Sequence, residues 1–194
     1  MKKIVFDIET KQAIPPGWPD NHVEKLEISL VGIYDYNANT YEGFLEEDFS
    51  RLWDILDKTD MLISYNGDHF DIPLLNEYYK KAGRGDLTKI RSLDLLKEIK
   101  NCYGRRMKLD QVAEGTFGIG KSNNGLDAVI WWEQGEIEKI RKYCLDDVRI
   151  TKEVYEYALK NKKLLFKEGP FTKEIKMDVK HWEPISEIRT QSLF

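Results

Sequence analysis

The sequence predicts an α/β fold: a mixed five-stranded sheet, made of an antiparallel three-strand meander plus parallel strands, with helices on both faces. Three observations lead there. Strand patterns alone fill the chain as far as Leu45, whereas from Asp48 onward apolar residues at helical spacing alternate with short strand-like runs, the order that sets helices around a mixed sheet. The 194 residues suit one domain of roughly 100 to 200 residues. A hydrophobic share of 41% with 12% aromatics supplies a core, while 33% charged residues and a mean hydropathy of -0.55 describe a solvated exterior.

Residues 3–8 (KIVFDI) are rich in Ile, Val and Phe and read as a buried strand. Residues 11–22 hold three of the six prolines and form a loop. Residues 28–36 and 40–45 are strand-like, and Asn37, Ala38 and Asn39 supply the turn between them, which closes the meander. Phe49, Leu52, Trp53 and Leu56 recur at i, i+3, i+4 and i+7, so 48–57 is a helix. A short fourth strand follows at 61–65, then a helix at 73–82 stopped by Gly83 and Gly85, and a fifth strand at 91–95. Leu109–Phe117 is a short helix ending before Gly118 and Gly120, and 135–160 is a long amphipathic one. Near the end, Ile175, Met177 and Val179 alternate with Lys176, Asp178 and Lys180, the pattern of an edge strand with one wet, basic face.

Thirty Lys and Arg face 34 Asp and Glu, a net charge of -4. That balance excludes a strongly basic, non-specific nucleic-acid coat. Cys102 and Cys144 form no CxxC and have no partner cluster, so neither a disulfide scaffold nor a zinc site is indicated, and a reducing compartment is expected. Only Ile4, Val5 and Phe6 separate Met1-Lys2-Lys3 from Asp7, short of the roughly 7 to 15 apolar residues of an export segment. No apolar run approaches the roughly 18 residues of a membrane span. The expectation is a cytoplasmic protein with no membrane partner.

Chemistry-bearing residues fall in three places. In FDIET, Ile4, Phe6 and Ile8 take one face of the first strand and Asp7 and Glu9 the other, with Cα atoms about 6.6 to 6.8 Å apart. Two anions desolvated together repel unless cations or hydrogen bonds hold them, and a pair of hard oxygen ligands suits Mg²⁺ or Mn²⁺; a solvated strand end would explain the same pair. In NGDHFDIP, Asp71 stands where a strand gives way to a helix, as a ligand would or as an N-cap would. Asn66 and Phe70 beside it offer an amide and a ring. On the long helix Tyr143 and Asp147 are four residues apart and share a face, which a merely solvated helix would also allow.

Taken in order, FDIET, NGDHFDIPLL and YCLDDV resemble the three exonuclease motifs of the ribonuclease H-like 3′-to-5′ exonucleases with four acids and a tyrosine (DEDDy), closest to the proofreading domain of family B DNA polymerases and its free-standing relatives. The intervening SLDLL and KLDQVAEGTFGIGK are similar to that family's middle section. The resemblance covers residues 1 to about 160 and gives a ribonuclease H-like domain at 1–162; the C-terminal extension at 163–194 lies outside it and is expected, from its alternation, to be an edge strand and tail packed on the same domain. It implies that Asp7, Glu9 and Asp147 bind one metal, that Asp7 bridges to a second, and that Asp71 holds that second ion partly through water. Such a pair of divalent cations, Mg²⁺ or Mn²⁺, clamps the attacking and leaving oxygens of a phosphodiester displacement. Tyr143, with an ordinary pKa of about 10, then orients water. Lys142 occupies the place where the histidine variant of the family carries its His, which leaves the tyrosine version.

The implied function is a metal-dependent exonuclease acting on nucleic-acid 3′ ends, with single-stranded DNA favoured and RNA possible as substrate. Thr10, Asn66, Phe70 and Trp18 are the candidates to meet the terminal nucleotide; stacking on such a ring contributes about 1 to 3 kcal/mol per base. The clusters Lys80, Lys81 and Arg84, and Arg105, Arg106 and Lys108, would attract phosphate or simply be solvated. Residues 191–194 (QSLF) are similar to a shortened form of the peptide by which bacterial replication proteins dock on the sliding clamp, which a frayed polar terminus explains as well. Two further readings stay open: a structure-selective endonuclease on the same fold, and an inactive nucleic-acid-binding or docking module.

Overall fold

A computed structural model describes residues 1–15, 17, 23–120 and 125–184. The chain divides into two units, Met1–Leu95 with Lys121–Lys152, and Leu96–Gly120 with Glu153–Phe194.

The first unit carries a five-stranded sheet of β1 (Lys3–Thr10), β2 (Ile28–Asp35), β3 (Thr40–Phe44), β4 (Met61–Ser64) and β5 (Arg91–Asp94), in the order β3-β2-β1-β4-β5. The β1–β2 and β2–β3 pairs are antiparallel, and β1–β4 and β4–β5 are parallel. This is the predicted meander plus parallel strands, and it makes β1 the central strand. Ile4, Phe6 and Ile8 of β1 pack with Phe49, Leu52, Trp53 and Leu56 of α1 (Phe49–Leu56) and with Leu74, Leu75 and Tyr79 of α2 (Asp71–Lys81). Full burial of such a side chain contributes about 1.5 to 3 kcal/mol. On the other face Leu30 packs with Ile140 and Cys144 of α6 (Ile137–Asn161) and with Trp131 and Trp132 of α5 (Gly125–Glu133). Helices therefore cover both faces, as the alternation of patterns predicts.

Two features of this unit depart from the sequence reading. Helix α2 begins at Asp71, two residues ahead of the predicted Pro73, because a proline in the first turn removes only an N–H that would have no helical partner. Helix α5 lies in GLDAVIWWE, a short apolar run whose periodicity does not separate helix from strand.

The second unit holds α3 (Leu95–Tyr103, from Leu96 onward), α4 (Leu109–Phe117), the last turns of α6, and a separate hairpin of β6 (Lys163–Glu168) and β7 (Phe171–Lys176). Strand β6 is unpredicted: Lys162 at φ 56 breaks the chain out of α6 without a glycine or proline to mark the place. The predicted edge strand over 175–180 is instead β7, which ends at Lys176 because β6 begins opposite it at Lys163. Leu164, Phe166 and Ile175 are buried, and the Thr116 hydroxyl bonds both the N–H and the carbonyl of Leu165, at 3.1 and 2.8 Å. Trp182 is fully buried, stacks on Tyr155 at 5.8 Å and donates its indole N–H to Glu98 at 3.0 Å.

Candidate active site

Strand pairing decides what lies beside the first two acids. On the face of β1 opposite the core triplet, Asp7 is paired with Gly32 and Glu9 with Leu30, and the register slips between Glu9 and Thr10. Pairing resumes beyond the slip, with Thr10 opposite Ile28 and the Lys11 N–H donating to the Glu27 carbonyl at 2.8 Å. Gly32 leaves a gap over β2, and the buried sulfur of Cys144 fills it. The Cys144 thiol is a donor toward Asp7, its sulfur 3.5 Å from the Asp7 carbonyl and 3.6 Å from Oδ2. Asp7, Glu9 and Cys144 each bring one ligand-type atom within 4.8 Å of the others.

Asp71 is the first residue of α2, and the residue ahead of it, Phe70, makes no side-chain cap. Its carboxylate is turned inward, 4% exposed, where its own N–H and that of Ile8 donate to it. The simple N-cap explanation of this residue therefore does not describe it. Tyr143 and Asp147 share a face of α6, and the Tyr143 hydroxyl donates to the Asp147 carboxylate. The edge of Trp131 meets the Tyr143 ring, centroids 6.0 Å apart at 70°.

Electrostatics tie these residues together. Burial pushes the Asp7 carboxyl well above the usual range, and the charges of Asp71, Glu9 and Asp147 push it further. Burial likewise raises Asp71 to about 7, against the pull of the two backbone N–H groups and with help from the charge of Asp94. The Tyr143 phenol is pushed up by burial and then by Asp147, Glu9 and Asp7, so it stays protonated. Cys144 is raised by burial and by the same carboxylates, which keeps it a thiol and a donor. Asp7 thus feels the other three acids singled out in the sequence, and Tyr143 feels Asp147, Glu9 and Asp7. An anion-rich set of carboxylates whose one neighbouring sulfur is held as a thiol fits hard divalent cations.

The outer candidates are arranged less uniformly. The Thr10 hydroxyl donates to the Gln12 carbonyl at 2.8 Å. Asn66 takes a left-handed backbone at φ 75, and the half-buried Phe70 packs on the core. Trp18 and residues 191–194 lie outside the described residues. Arg84 is paired with Asp54 and Asp57 at 2.9 and 2.8 Å, and Arg105 with Glu168, which accounts for those cations as solvated ion pairs. Among the described residues no helix is long and apolar enough to cross a membrane.

Sequence reasoning missed two residues. Cys144 reads as a small core residue, and only the strand register reveals that it faces Asp7. Asp94 carries a faint signal, a carboxylate inside the apolar run SLDLL, and its partners are backbone N–H groups that no motif displays.

Residues 4–159 match the model of the RNase H superfamily. No curated protein matches the chain in sequence. Among solved structures the chain is similar to the family B DNA polymerase of the hyperthermophilic archaeon Pyrobaculum calidifontis, with a TM-score of 0.63 and 21% identity over 81% of this chain. The match spans 24% of that polymerase, and at this identity the likeness is one of fold.

Proposed function

The chain belongs to the RNase H superfamily, and on that footing we propose that it is a 3′-to-5′ exonuclease of the four-acid-plus-tyrosine type, acting on nucleic-acid 3′ ends with single-stranded DNA favoured. Membership supports a nuclease-type hydrolase and with it the binding of nucleic acid. The observation that carries the finer reading is the crowding of carboxylates: Glu9 and Cys144 bring ligand-type atoms within 4.8 Å of the half-buried Asp7, and the charges of Asp71, Glu9 and Asp147 all act on it. Desolvated anions at such density are relieved by protons or by cations.

In this reading Asp7, Glu9, Asp71 and Asp147 would hold two divalent cations, Mg²⁺ or Mn²⁺. When bound, such a pair supplies charge neutralisation at the attacking and leaving oxygens of a phosphodiester. The chain's own groups do the rest. Tyr143, held protonated, donates its one O–H to Asp147, which fixes the phenol, and its oxygen accepts from the attacking water and so orients it. Trp131 limits the swing of the Tyr143 ring. Cys144 steadies one oxygen of Asp7. Thr10, Asn66, Phe70 and Trp18 are the proposed contacts of the terminal nucleotide.

The test is incubation with DNA and RNA labelled at either end, with Mn²⁺ and with chelator. The expected result is a ladder of successively shorter products from the 5′ label, mononucleotides from the 3′ label, and no cleavage with chelator. A few discrete internal fragments would indicate an endonuclease instead. Binding without cleavage under any divalent cation would indicate a binding module.

A further inference from the structure

Asp94 ends β5, opposite Ser64 at the end of β4, and is 5% exposed. Both of its carboxylate oxygens are directed at the loop that leads into α2. Oδ1 accepts the Asn66 N–H at 2.8 Å, and Oδ2 accepts the Asp68 N–H at 3.2 Å. Ser92, two residues earlier and so on the same face of β5, donates its hydroxyl to the Asp68 carboxylate at 2.5 Å. Strand β5 therefore grips loop 66–70 by three hydrogen bonds.

The loop needs that grip. Asn66 is in the left-handed region at φ 75, a conformation that L side chains adopt with strain. Gly67 lies so near Ser64 that a Cβ there would collide with its side chain, and the same Cβ would stand 3.5 Å from Asp71 Oδ2. The Gly67 carbonyl accepts the Ile72 N–H at 2.9 Å, which joins the loop to the first turn of α2. A carboxylate out of water is destabilising unless its oxygens are hydrogen-bonded, so an acid at this strand end is stable only while the loop stays in place.

We infer that Asp94 is a positioning residue for Asp71: together with Ser92 it clamps loop 66–70 from β5 and so fixes where the Asp71 carboxylate stands relative to Asp7. This rests on the proposed reading of Asp7 and Asp71 as cation ligands. Losing an outer partner of a ligand weakens metal affinity about 10- to 100-fold.

The experiment measures Mn²⁺ binding to the metal-free protein by the paramagnetic resonance signal of free Mn²⁺, for wild type, Asp94→Asn, Ser92→Ala and Asp7→Asn. Amide hydrogen exchange at Asn66 and Asp68 is followed in the same proteins. Asp94→Asn is expected to weaken Mn²⁺ binding about tenfold or more and to speed exchange at those two amides while β1 stays protected. Ser92→Ala, at a half-buried position, is expected to shift both readouts the same way by about fivefold or less. Wild-type Mn²⁺ affinity in Asp94→Asn, alongside a loss in Asp7→Asn, overturns the assignment and leaves the metal reading standing. Wild-type affinity in Asp7→Asn overturns the metal reading and the assignment with it. If Asp94→Asn does not fold, Ser92→Ala decides, and unchanged affinity and exchange there overturn the assignment.

Discussion

The Cβ that Gly32 lacks would stand 2.7 Å from the sulfur of Cys144, closer than real side-chain contacts come. The absence of one methyl group on β2 therefore lets α6 lie down on the sheet, and α6 brings Tyr143 and Asp147 to the acids of β1. Val148 and Leu145 close the remaining space, at 3.2 and 3.3 Å from the same point. Gly32→Ala should destabilise the protein by about 1 to 3 kcal/mol, the usual range for overpacking, and should lower cleavage further than stability alone explains. Adding Cys144→Ala should recover part of the stability. Thermal melts of the single and double variants check both statements.

Metal-free stability should fall with rising pH. Asp71 has a folded-state pKa of about 7 against an ordinary 3.8, so between those values the folded chain keeps a proton that the unfolded chain has released. Stability is full below about 4, declines as pH rises, and is lowest above about 7, by an amount on the order of 4 kcal/mol for this group. Urea unfolding across that range in chelator measures it. A rise in stability over the same interval would contradict the crowding of anions.

Asp7→Asn removes one member of the cluster. Cleavage should be abolished, yet without metal the variant should melt no lower than wild type, because a repelling charge has gone. Millimolar Mg²⁺ should raise the wild-type melting temperature more than the variant's, since only a ligand that binds the folded state stabilises it. Calorimetry with and without Mg²⁺ decides.

Tyr143→Phe keeps the ring against Trp131 and loses the hydroxyl that Asp147 accepts. Single-turnover cleavage should slow about 10²-fold, the scale on which lost positioning of a reactant costs rate. Mn²⁺ affinity and melting temperature should stay near the wild-type values. A variant that cleaves at the wild-type rate would remove Tyr143 from the mechanism.

The second unit has its own test. Trp182→Ala deletes a fully buried indole with a stacked partner and a hydrogen bond, and should destabilise that unit by about 3 to 5 kcal/mol. Trp182→Phe, which keeps a ring against Tyr155, should recover most of the loss. Limited proteolysis around residues 96–120 would report it.

Much of the sheet could be read from pattern, because alternation and turn residues mark β1, β2 and β3, and helical spacing marks α1 and α4 within a residue of their ends. The acids were legible for a different reason: Asp7 and Glu9 interrupt an apolar strand, and Asp71 and Asp147 recur in a known order. What stayed hidden depends on contacts distant in sequence. Lys162 carries no visible turn signal, α5 has an apolar composition without a clear period, and the tasks of Cys144 and Asp94 exist only once β1, β5 and α6 are assembled.

The position of β1 at the middle of the sheet has a consequence for how the site breathes. Flanked by β2 and β4, the strand that carries Asp7 and Glu9 belongs among the last parts of the fold to open. Asp71 sits at a helix start and Tyr143 and Asp147 on another helix, elements whose fluctuations require no loss of strand pairing. Excursions of these outer partners would leave Asp7 and Glu9 in place on the paired strand, a fixed anvil beneath the moving half of the cluster.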